Sequence, residues 1–138
     1  MTPRIDRVLE TALYCRDLGN VAAFYRRVLG FEVLTEIERL IALDAGGGTV
    51  LLLFRQGGTV APVDSPIGRI PAHDGDGPVH LAFAIPTAEL AAWERHLAAN
   101  DITIESRITW PAGGVSLYFR DPEGHSVELA TPGLWRNY

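Results

Sequence analysis

The sequence predicts an α+β fold built from two paired β-α-β-β-β modules, and two observations carry this prediction. Alternating and periodic apolar residues describe a strand, a helix and three further strands in each half of the chain. The halves also align, because segment 43–54 overlays 119–130 and segment 22–29 overlays 91–98 with similar offsets. One such module exposes a sheet face that it cannot bury alone, so two must pair, within a chain or between chains.

The first repeat covers about residues 8–54 and begins with a strand over 8–15. Asp17 stands where a helix N-cap belongs, apolar residues then repeat at helical spacing, and Gly30 follows as the C′ residue. Three strands complete the repeat, at 31–35, 39–44 and 49–54, and the turn Gly46-Gly47-Gly48 joins the last two.

A stretch rich in glycine and proline, residues 55–78, separates the repeats and is predicted to be a linker or lid without regular structure. The second repeat covers about 79–130, and we expect residues 1–138 to form a single domain. Its predicted elements are a strand at 79–85, a helix opening at Pro86-Thr87, a strand beginning at 102–104 and extending toward Trp110, and a closing hairpin of 115–120 and 126–130.

Length and composition exclude several classes of protein. Of the 138 residues, 47% are hydrophobic and 21% charged, as in an ordinary globular protein. A net charge of −5 argues against a nucleic-acid partner, which needs a basic patch to offset phosphate charge. No apolar run approaches the ~20 residues that span a bilayer, so no membrane partner is expected. The single cysteine suits a reducing compartment, and we expect a cytoplasmic protein that binds a small molecule or a second copy of itself.

Strand alternation gathers polar side chains on the concave sheet face, opposite the helices. Apolar residues suit the helix-covered face, which leaves Glu10, His80 and Glu128 on the concave one, among small residues that leave room for a ligand. Taken singly, each is more often a surface or hydrogen-bonded residue. Together they are costly to bury unless paired or metal-bound. One histidine and two carboxylates suit a divalent ion, Zn, Ni, Mn, Fe or Mg, with positions open for substrate or water.

Four further residues have two interpretations each. Tyr118 lies on the same face as Glu128 and either donates a hydrogen bond to a ligand oxygen or serves packing. Arg120 binds a ligand carboxylate or pairs with a neighbouring acid. His73 is an exposed loop residue or a lid residue over the site. Trp135 anchors the C-terminus or lines a subunit contact.

Three segments are distinctive: VLETALYCRDLGNVAAFYRRVLGF, GPVHLAFAI and YFRDPEGHSVELATP. Together they resemble the vicinal oxygen chelate superfamily over nearly the whole chain. That superfamily includes glyoxalase I, extradiol dioxygenases, methylmalonyl-CoA epimerase, and fosfomycin and bleomycin resistance proteins. The resemblance implies a curved sheet around a central cavity, with metal ligands from the first strand of each module and the last strand of one or both. Carried over to this sequence, those positions are Glu10, His80 and Glu128.

Two positions depart from the ligand sets of the family. Leu52 overlays Glu128 and fills the position where glyoxalase I has a carboxylate. Glu10 stands where extradiol dioxygenases and fosfomycin enzymes have histidine, so the iron triad of two histidines and one carboxylate is absent in its usual form.

The resemblance implies a divalent-metal-dependent lyase or isomerase of glyoxalase type, acting on a small molecule with vicinal oxygens. Glu10 or Glu128 is the candidate base, and Tyr118 is a candidate hydrogen-bond donor in catalysis. One alternative is a metal-free protein that sequesters a small molecule, as bleomycin-resistance relatives do, and another is a dioxygenase-like enzyme. Because modules of the family often pair across a dimer, we expect a homodimer with Glu10 of one chain beside His80 and Glu128 of another.

Overall fold

The chain folds as two units in the computed structural model, which describes residues 1–138. The first unit is residues 1–76 and the second is residues 77–138. Each unit contains one β-α-β-β-β module, so the predicted α+β class and the duplicated element order are confirmed. No helix has the length and apolar character needed to cross a bilayer.

The first module is a four-stranded sheet with one helix. Its strands have the order β1-β4-β3-β2, with β1 parallel to β4 and the other pairs antiparallel. The carboxylate of Asp17 accepts a hydrogen bond from the backbone N–H of Asn20, and Gly30 ends the helix with φ 74°, as the sequence predicts. The elements are β1 (Glu10–Cys15), α1 (Leu18–Leu29), β2 (Glu32–Ile37), β3 (Leu40–Gly46) and β4 (Thr49–Arg55).

Alternation along the strands separates the two faces of this sheet. Leu51 and Leu53 of β4 are buried in the core, and the helix α1 lies against β3 and β4. The intervening Val50 and Leu52 are only half-buried on the opposite face. That second face is therefore apolar along β4.

The segment between the modules is more ordered than predicted. Two short strands, β5 (Val63–Ser65) and β6 (Gly68–Ile70), pair as a hairpin, so the expectation of a linker without regular structure is wrong. A two-contact ion pair joins Asp64 and Arg69 across this hairpin. The Thr59 hydroxyl and the His73 backbone N–H each donate to a carbonyl of the other residue, at 2.5 and 2.9 Å. Residues 59–73, here called the strap, therefore form a loop of the first unit whose two end residues are hydrogen-bonded to each other.

The second module repeats the architecture of the first. Its sheet has the order β7-β10-β9-β8, with β7 parallel to β10. The elements are β7 (His80–Ala84), a 3-10 turn (Thr87–Glu89), α2 (Leu90–Ala99), β8 (Ser106–Thr109), β9 (Val115–Arg120) and β10 (Ser126–Ala130).

The strand predicted to begin at 102–104 begins only at Ser106. The end of α2 accounts for the difference, because Asp101 has φ 58° and the N–H of Ile102 donates to the carbonyl of Leu97. These contacts satisfy carbonyls of the last helical turn and keep the chain in a helix-terminating conformation. Apolar alternation alone does not reveal such a cap.

Strand register makes positions in the two modules equivalent. In the first sheet Ala12 lies opposite Leu52, and in the second Ala82 lies opposite Glu128. Leu52 therefore occupies in the first unit the position that Glu128 occupies in the second.

Candidate functional site

The sheet of the second unit brings His80 and Glu128 together. Parallel pairing places His80 opposite Ser126, two residues before Glu128 on the same face of β10. The Nε2 atom of His80 lies 3.9 Å from Oε1 of Glu128, which is too long for a hydrogen bond. The Glu128 side chain is 4% exposed, whereas the imidazole is 52% exposed. A buried carboxylate thus lies beside an accessible ring nitrogen.

A backbone contact selects the tautomer of His80. Its Nδ1 lies 2.9 Å from the carbonyl oxygen of Ser126. A carbonyl only accepts, so Nδ1 carries a proton, and Nε2 is the ring nitrogen that faces Glu128. A lone pair and a carboxylate oxygen repel each other unless a cation lies between them or Nε2 is protonated. Histidine ligands of metals have this arrangement, with one nitrogen on the ion and the other N–H donating to an oxygen.

The separation of the two side chains suits ligands of one divalent ion. With bonds of roughly 2.0–2.2 Å to nitrogen and oxygen, two donors on one ion lie about 3–4 Å apart. The 3.9 Å between His80 and Glu128 falls within that range. No group of three or more His, Cys, Asp or Glu side chains is arranged to hold a metal. The second unit by itself therefore brings together two candidate ligands, His80 and Glu128.

Tyr118 completes the polar cluster of the second unit. It lies opposite Glu128 in the β9–β10 pair, and its ring centroid is 6.1 Å from that of His80. Burial raises the pKa of Tyr118, and the hydrogen bond and negative charge of Glu128 raise it further, whereas a hydrogen bond with Ser116 lowers it. With its pKa raised above the ordinary value of 10.0, the phenol keeps its proton at neutral pH.

Glu10 belongs to the first unit, at the beginning of β1 and opposite Val50. Its side chain is exposed and makes no hydrogen bond or ion pair. Alternation places it on the same face of the first sheet as Ala12 and Tyr14. Its participation with His80 and Glu128 as a metal ligand stays a prediction.

Two other residues have contacts that bear on their interpretation. Arg120 forms a two-contact ion pair with Glu105 and donates to the carbonyl of Gly124, so it pairs with a neighbouring acid. Trp135 is 69% exposed.

His73 is half-buried rather than an exposed loop residue. Its Nδ1 lies 2.5 Å from the Tyr14 hydroxyl, and its ring packs edge-on against Phe54 at 4.6 Å. Burial raises the pKa of Tyr14, and the charge of Asp74 adds to the effect. These contacts fasten the end of the strap to the non-helical face of the first sheet.

Sequence reasoning missed Trp110 as part of the polar cluster. The indole N–H of Trp110 donates to the hydroxyl of Ser116 at 2.8 Å. Ser116 is fully buried on the face that carries Tyr118 and Glu128. The available signal was the position of Trp110 and Ser116 at the facing ends of two successive predicted strands, on either side of Pro111 and Gly113.

Comparison with known proteins identifies relatives along almost the whole chain. A metallothiol transferase FosB from Bacillus licheniformis is 29% identical over 120 residues, which are 86% of this chain and 71% of that protein. A catechol-2,3-dioxygenase from Bacillus subtilis is 29% identical over 85% of this chain but only 38% of its own length.

The fold has a match among solved structures. The crystal structure of a lactoylglutathione lyase from Agrobacterium tumefaciens has a TM-score of 0.87 and 34% identity, covering 97% of this chain and 99% of that one. The family model described as Glyoxalase/Bleomycin resistance protein/Dioxygenase superfamily matches residues 4–129. The chain therefore belongs to the glyoxalase, bleomycin resistance protein and dioxygenase superfamily.

Proposed function

We propose that this protein is a divalent-metal-dependent enzyme, a lyase or isomerase of glyoxalase type, acting on a small molecule with vicinal oxygens. His80 and Glu128 would hold the ion, with Glu10 as a third ligand. The observation that supports this most directly is the buried Glu128 carboxylate beside the accessible Nε2 of His80. Similarity to a lactoylglutathione lyase supports the reaction class.

When bound, the divalent ion would polarise a substrate carbonyl and make the adjacent carbon more acidic. The protein side chains have separate tasks in this reaction. Glu128 lies opposite Tyr118 in the β9–β10 pair and is nearly inaccessible to water. Glu10 makes no hydrogen bond, so it is the carboxylate free to take a proton from the carbon next to the carbonyl. Return of that proton from Glu10 to the former carbonyl carbon, together with transfer of the hydroxyl proton between the two vicinal oxygens, would complete an isomerisation without gain or loss of atoms.

Transfer of a thiol is the second candidate function. Relatives at 29% identity from two bacteria are named metallothiol transferases, and that activity would need the same metal ligands. The two candidates differ in the second substrate, because a transferase joins a free thiol to another molecule and an isomerase rearranges one. The further alternatives are a metal-free sequestering protein and a dioxygenase-like enzyme. The experiments below distinguish them from the two candidates above.

Metal analysis of protein purified without chelator tests the proposal. We expect about one divalent ion per chain after supply of Zn²⁺, Ni²⁺, Mn²⁺, Fe²⁺ or Mg²⁺. Glutathione hemithioacetals, catechols and acyl-CoA epimers would then be screened against the metal-loaded protein, and a free thiol with an electrophile would test transfer. A protein that binds none of these ions contradicts the proposal and favours sequestration.

We also propose a cytoplasmic homodimer in which Glu10 of one chain lies beside His80 and Glu128 of another. Sedimentation at micromolar concentration is expected to give a dimer, and a monomer alone would contradict it. Mixing Glu10→Ala with His80→Ala protein then tests the shared site. Each heterodimer would contain one intact site, so subunit exchange should restore about a quarter of the wild-type metal sites. Sites formed within one chain would restore none.

Leu52→Glu is expected to tighten metal binding. The substitution places a carboxylate at the position equivalent to Glu128, where it would act as a fourth ligand. Each tenfold gain in affinity adds about 1.4 kcal/mol of metal-dependent stability, so the metal-induced rise in melting temperature should exceed that of wild type by a few degrees. Leu52→Gln is the matched control, equal in polarity but uncharged. An equal or absent rise in the Glu variant would contradict this placement of the site.

A further inference from the structure

The segment that precedes β1, residues 1–9, is here called the arm, and it lies on the surface of the first unit. Two hydrogen bonds hold its base, because the carbonyl of Leu9 accepts the N–H of Val50 and Arg7 donates to the carbonyl of Gly48. The large apolar side chains that the arm leaves exposed within five residues are Ile5, Val8 and Leu9. A run of this kind, unlike a single exposed apolar residue, indicates a surface that another molecule covers.

The strand β2 exposes a second apolar segment at the far edge of the same sheet. It is the last strand in the order β1-β4-β3-β2, so the backbone N–H and C=O groups along its outer edge have no neighbouring strand. All six of its residues are exposed, and they include Val33, Leu34 and Ile37. Leu34 falls at a shift in the register between β2 and β3 and is 54% exposed. An apolar edge strand of this kind is a template for pairing with another strand.

Opposite charge makes the arm and β2 complementary. The arm carries two cations, Arg4 and Arg7, and one anion, Asp6. The strand β2 carries two anions, Glu32 and Glu36, and no cation. The side chain of Arg4 is 86% exposed, and its ion pair is with Asp6 of the arm itself. A cationic apolar segment and an anionic apolar strand edge therefore occur in one chain, and opposite potentials favour their association.

The arm and β2 of one chain do not cover each other, since both Ile5 and Leu34 stay exposed. The arm leads into β1, which lies at the opposite edge of the four-stranded sheet from β2. Three strand spacings of roughly 4.8 Å separate these edges, about 14 Å in all. Two copies of the chain can satisfy both segments, because each copy supplies one arm and one β2 edge.

We propose that the arm of one copy binds along the outer edge of β2 of a second copy, and that the reciprocal contact closes a two-fold dimer. Main-chain hydrogen bonds along the edge would supply affinity, as in other cases of strand addition. The apolar side chains of the arm would cover those of β2, and its arginines would face the glutamates of the strand. The contact uses neither His80 nor Glu128 and needs no metal ion, so it is independent of the proposed function.

Cross-linking of an Ile5→Cys/Leu34→Cys variant tests the contact directly. The natural cysteine, Cys15, is fully buried, so the two introduced thiols are the ones accessible to reagent. With a short bis-maleimide at low micromolar protein, we expect a covalent dimer in which peptide mapping finds position 5 of one chain joined to position 34 of another. Ile5→Cys/Ile67→Cys is the matched control, since Ile67 at the tip of the β5–β6 hairpin is more exposed than Leu34 and should give much less dimer. Equal dimer from the control, or a link found only within single chains, would overturn the inference.

Sedimentation of Leu34→Asp protein measures how much the contact contributes to association. The substitution removes apolar surface and adds a carboxylate beside two glutamates, and a two-fold contact contains it twice. The dissociation constant of this contact should therefore rise about tenfold or more. Because Leu34 is exposed in the single chain, the melting temperature of dilute protein should stay unchanged. Ile67→Asp is the control and should associate as wild type does.

The outcomes separate this contact from the shared metal site. A Leu34→Asp protein that associates as strongly as wild type overturns the inference, whatever the protein binds. Metal sites restored by mixing Glu10→Ala and His80→Ala proteins depend on the other contact, so either proposal can fail while the other stands.

Discussion

Glu128→Gln is expected to abolish the effect of divalent ions on thermal unfolding while leaving the metal-free protein at least as stable as wild type. The loss of the metal response and the retained stability of the metal-free protein have different causes. Gln removes the anionic ligand, so affinity should fall by more than the 10- to 100-fold typical of outer-shell changes, about a hundredfold or more. The same substitution removes a charge from a position that is 97% buried, where the carboxylate has no cationic side chain within hydrogen-bonding distance.

Thermal unfolding with and without Zn²⁺ measures both effects in one experiment. Glu89→Gln is the control, since Glu89 is an exposed carboxylate of the same unit and should keep the full metal response. A Glu128→Gln protein that still gains stability from the ion would contradict the placement of the metal. A Glu128→Gln protein that unfolds at a much lower temperature without metal would contradict the proposal. It would indicate that Glu128 stabilises the fold beside Tyr118 and does not bind a metal ion.

Asp121→Ala is expected to destabilise the second unit by about 3–5 kcal/mol, the usual result of removing one partner from a buried pair. Oδ2 of Asp121 lies 2.6 Å from Nδ1 of His125, and both side chains are nearly inaccessible to water. Oδ1 of Asp121 accepts the backbone N–H groups of Glu123 and His125, which closes the turn between β9 and β10. The substitution therefore leaves three donors without a partner.

Chemical denaturation of Asp121→Ala and Glu105→Ala proteins compares a buried with an exposed ion pair beside the same strand. Glu105 pairs with Arg120 near the surface, where water and salt weaken the attraction. The loss of stability in the Glu105→Ala protein should therefore be far smaller than in the Asp121→Ala protein. Equal effects of the two substitutions would show that the turn does not depend on Asp121.

The stability of the second unit should also depend on pH through Asp121. Burial acts to raise the pKa of this carboxyl, but the hydrogen bond and charge of His125 and two backbone N–H groups together bring it below its ordinary value of 3.8. A carboxyl with a lowered pKa stabilises the folded state above the ordinary value and loses that contribution as pH falls through the lowered one. Acid titration of unfolding should therefore be less steep in Asp121→Asn protein than in wild type.

The repeated architecture was predictable because it depends on local patterns. Apolar alternation and helical spacing located both modules, and the equivalence of Leu52 with Glu128 followed from overlaying their last strands. The nearness of His80 to Glu128 follows in the same way, because two parallel neighbouring strands expose matching residues on one face. Sequence reasoning succeeded where the determining interactions lie within a strand, a helix or a pair of aligned repeats.

Other features depend on contacts that have no period in the sequence. The attachment of His73 to Tyr14 joins residues separated by 59 positions, and no alternation or spacing identifies such a pair. The hydrogen bond from Trp110 to Ser116 needed the detailed path of a turn containing Gly113 with φ 94°. The tautomer of His80 needed the position of a single backbone carbonyl. These contacts depend on the detailed positions of backbone and side-chain atoms, which residue types alone do not specify.

The hydrogen bonds that join the two ends of the strap determine where this architecture can diversify. Because Thr59 and His73 bond to each other, the intervening residues can be lengthened, shortened or exchanged while the first module keeps both attachment points. Doubling the length of such a loop costs only about 0.6 kcal/mol in closure entropy. The tip of the hairpin, Ile67, is 98% exposed and contributes nothing to the core. Residues 60–72 are thus the part of the first unit in which natural variation or a grafted peptide is least constrained by folding.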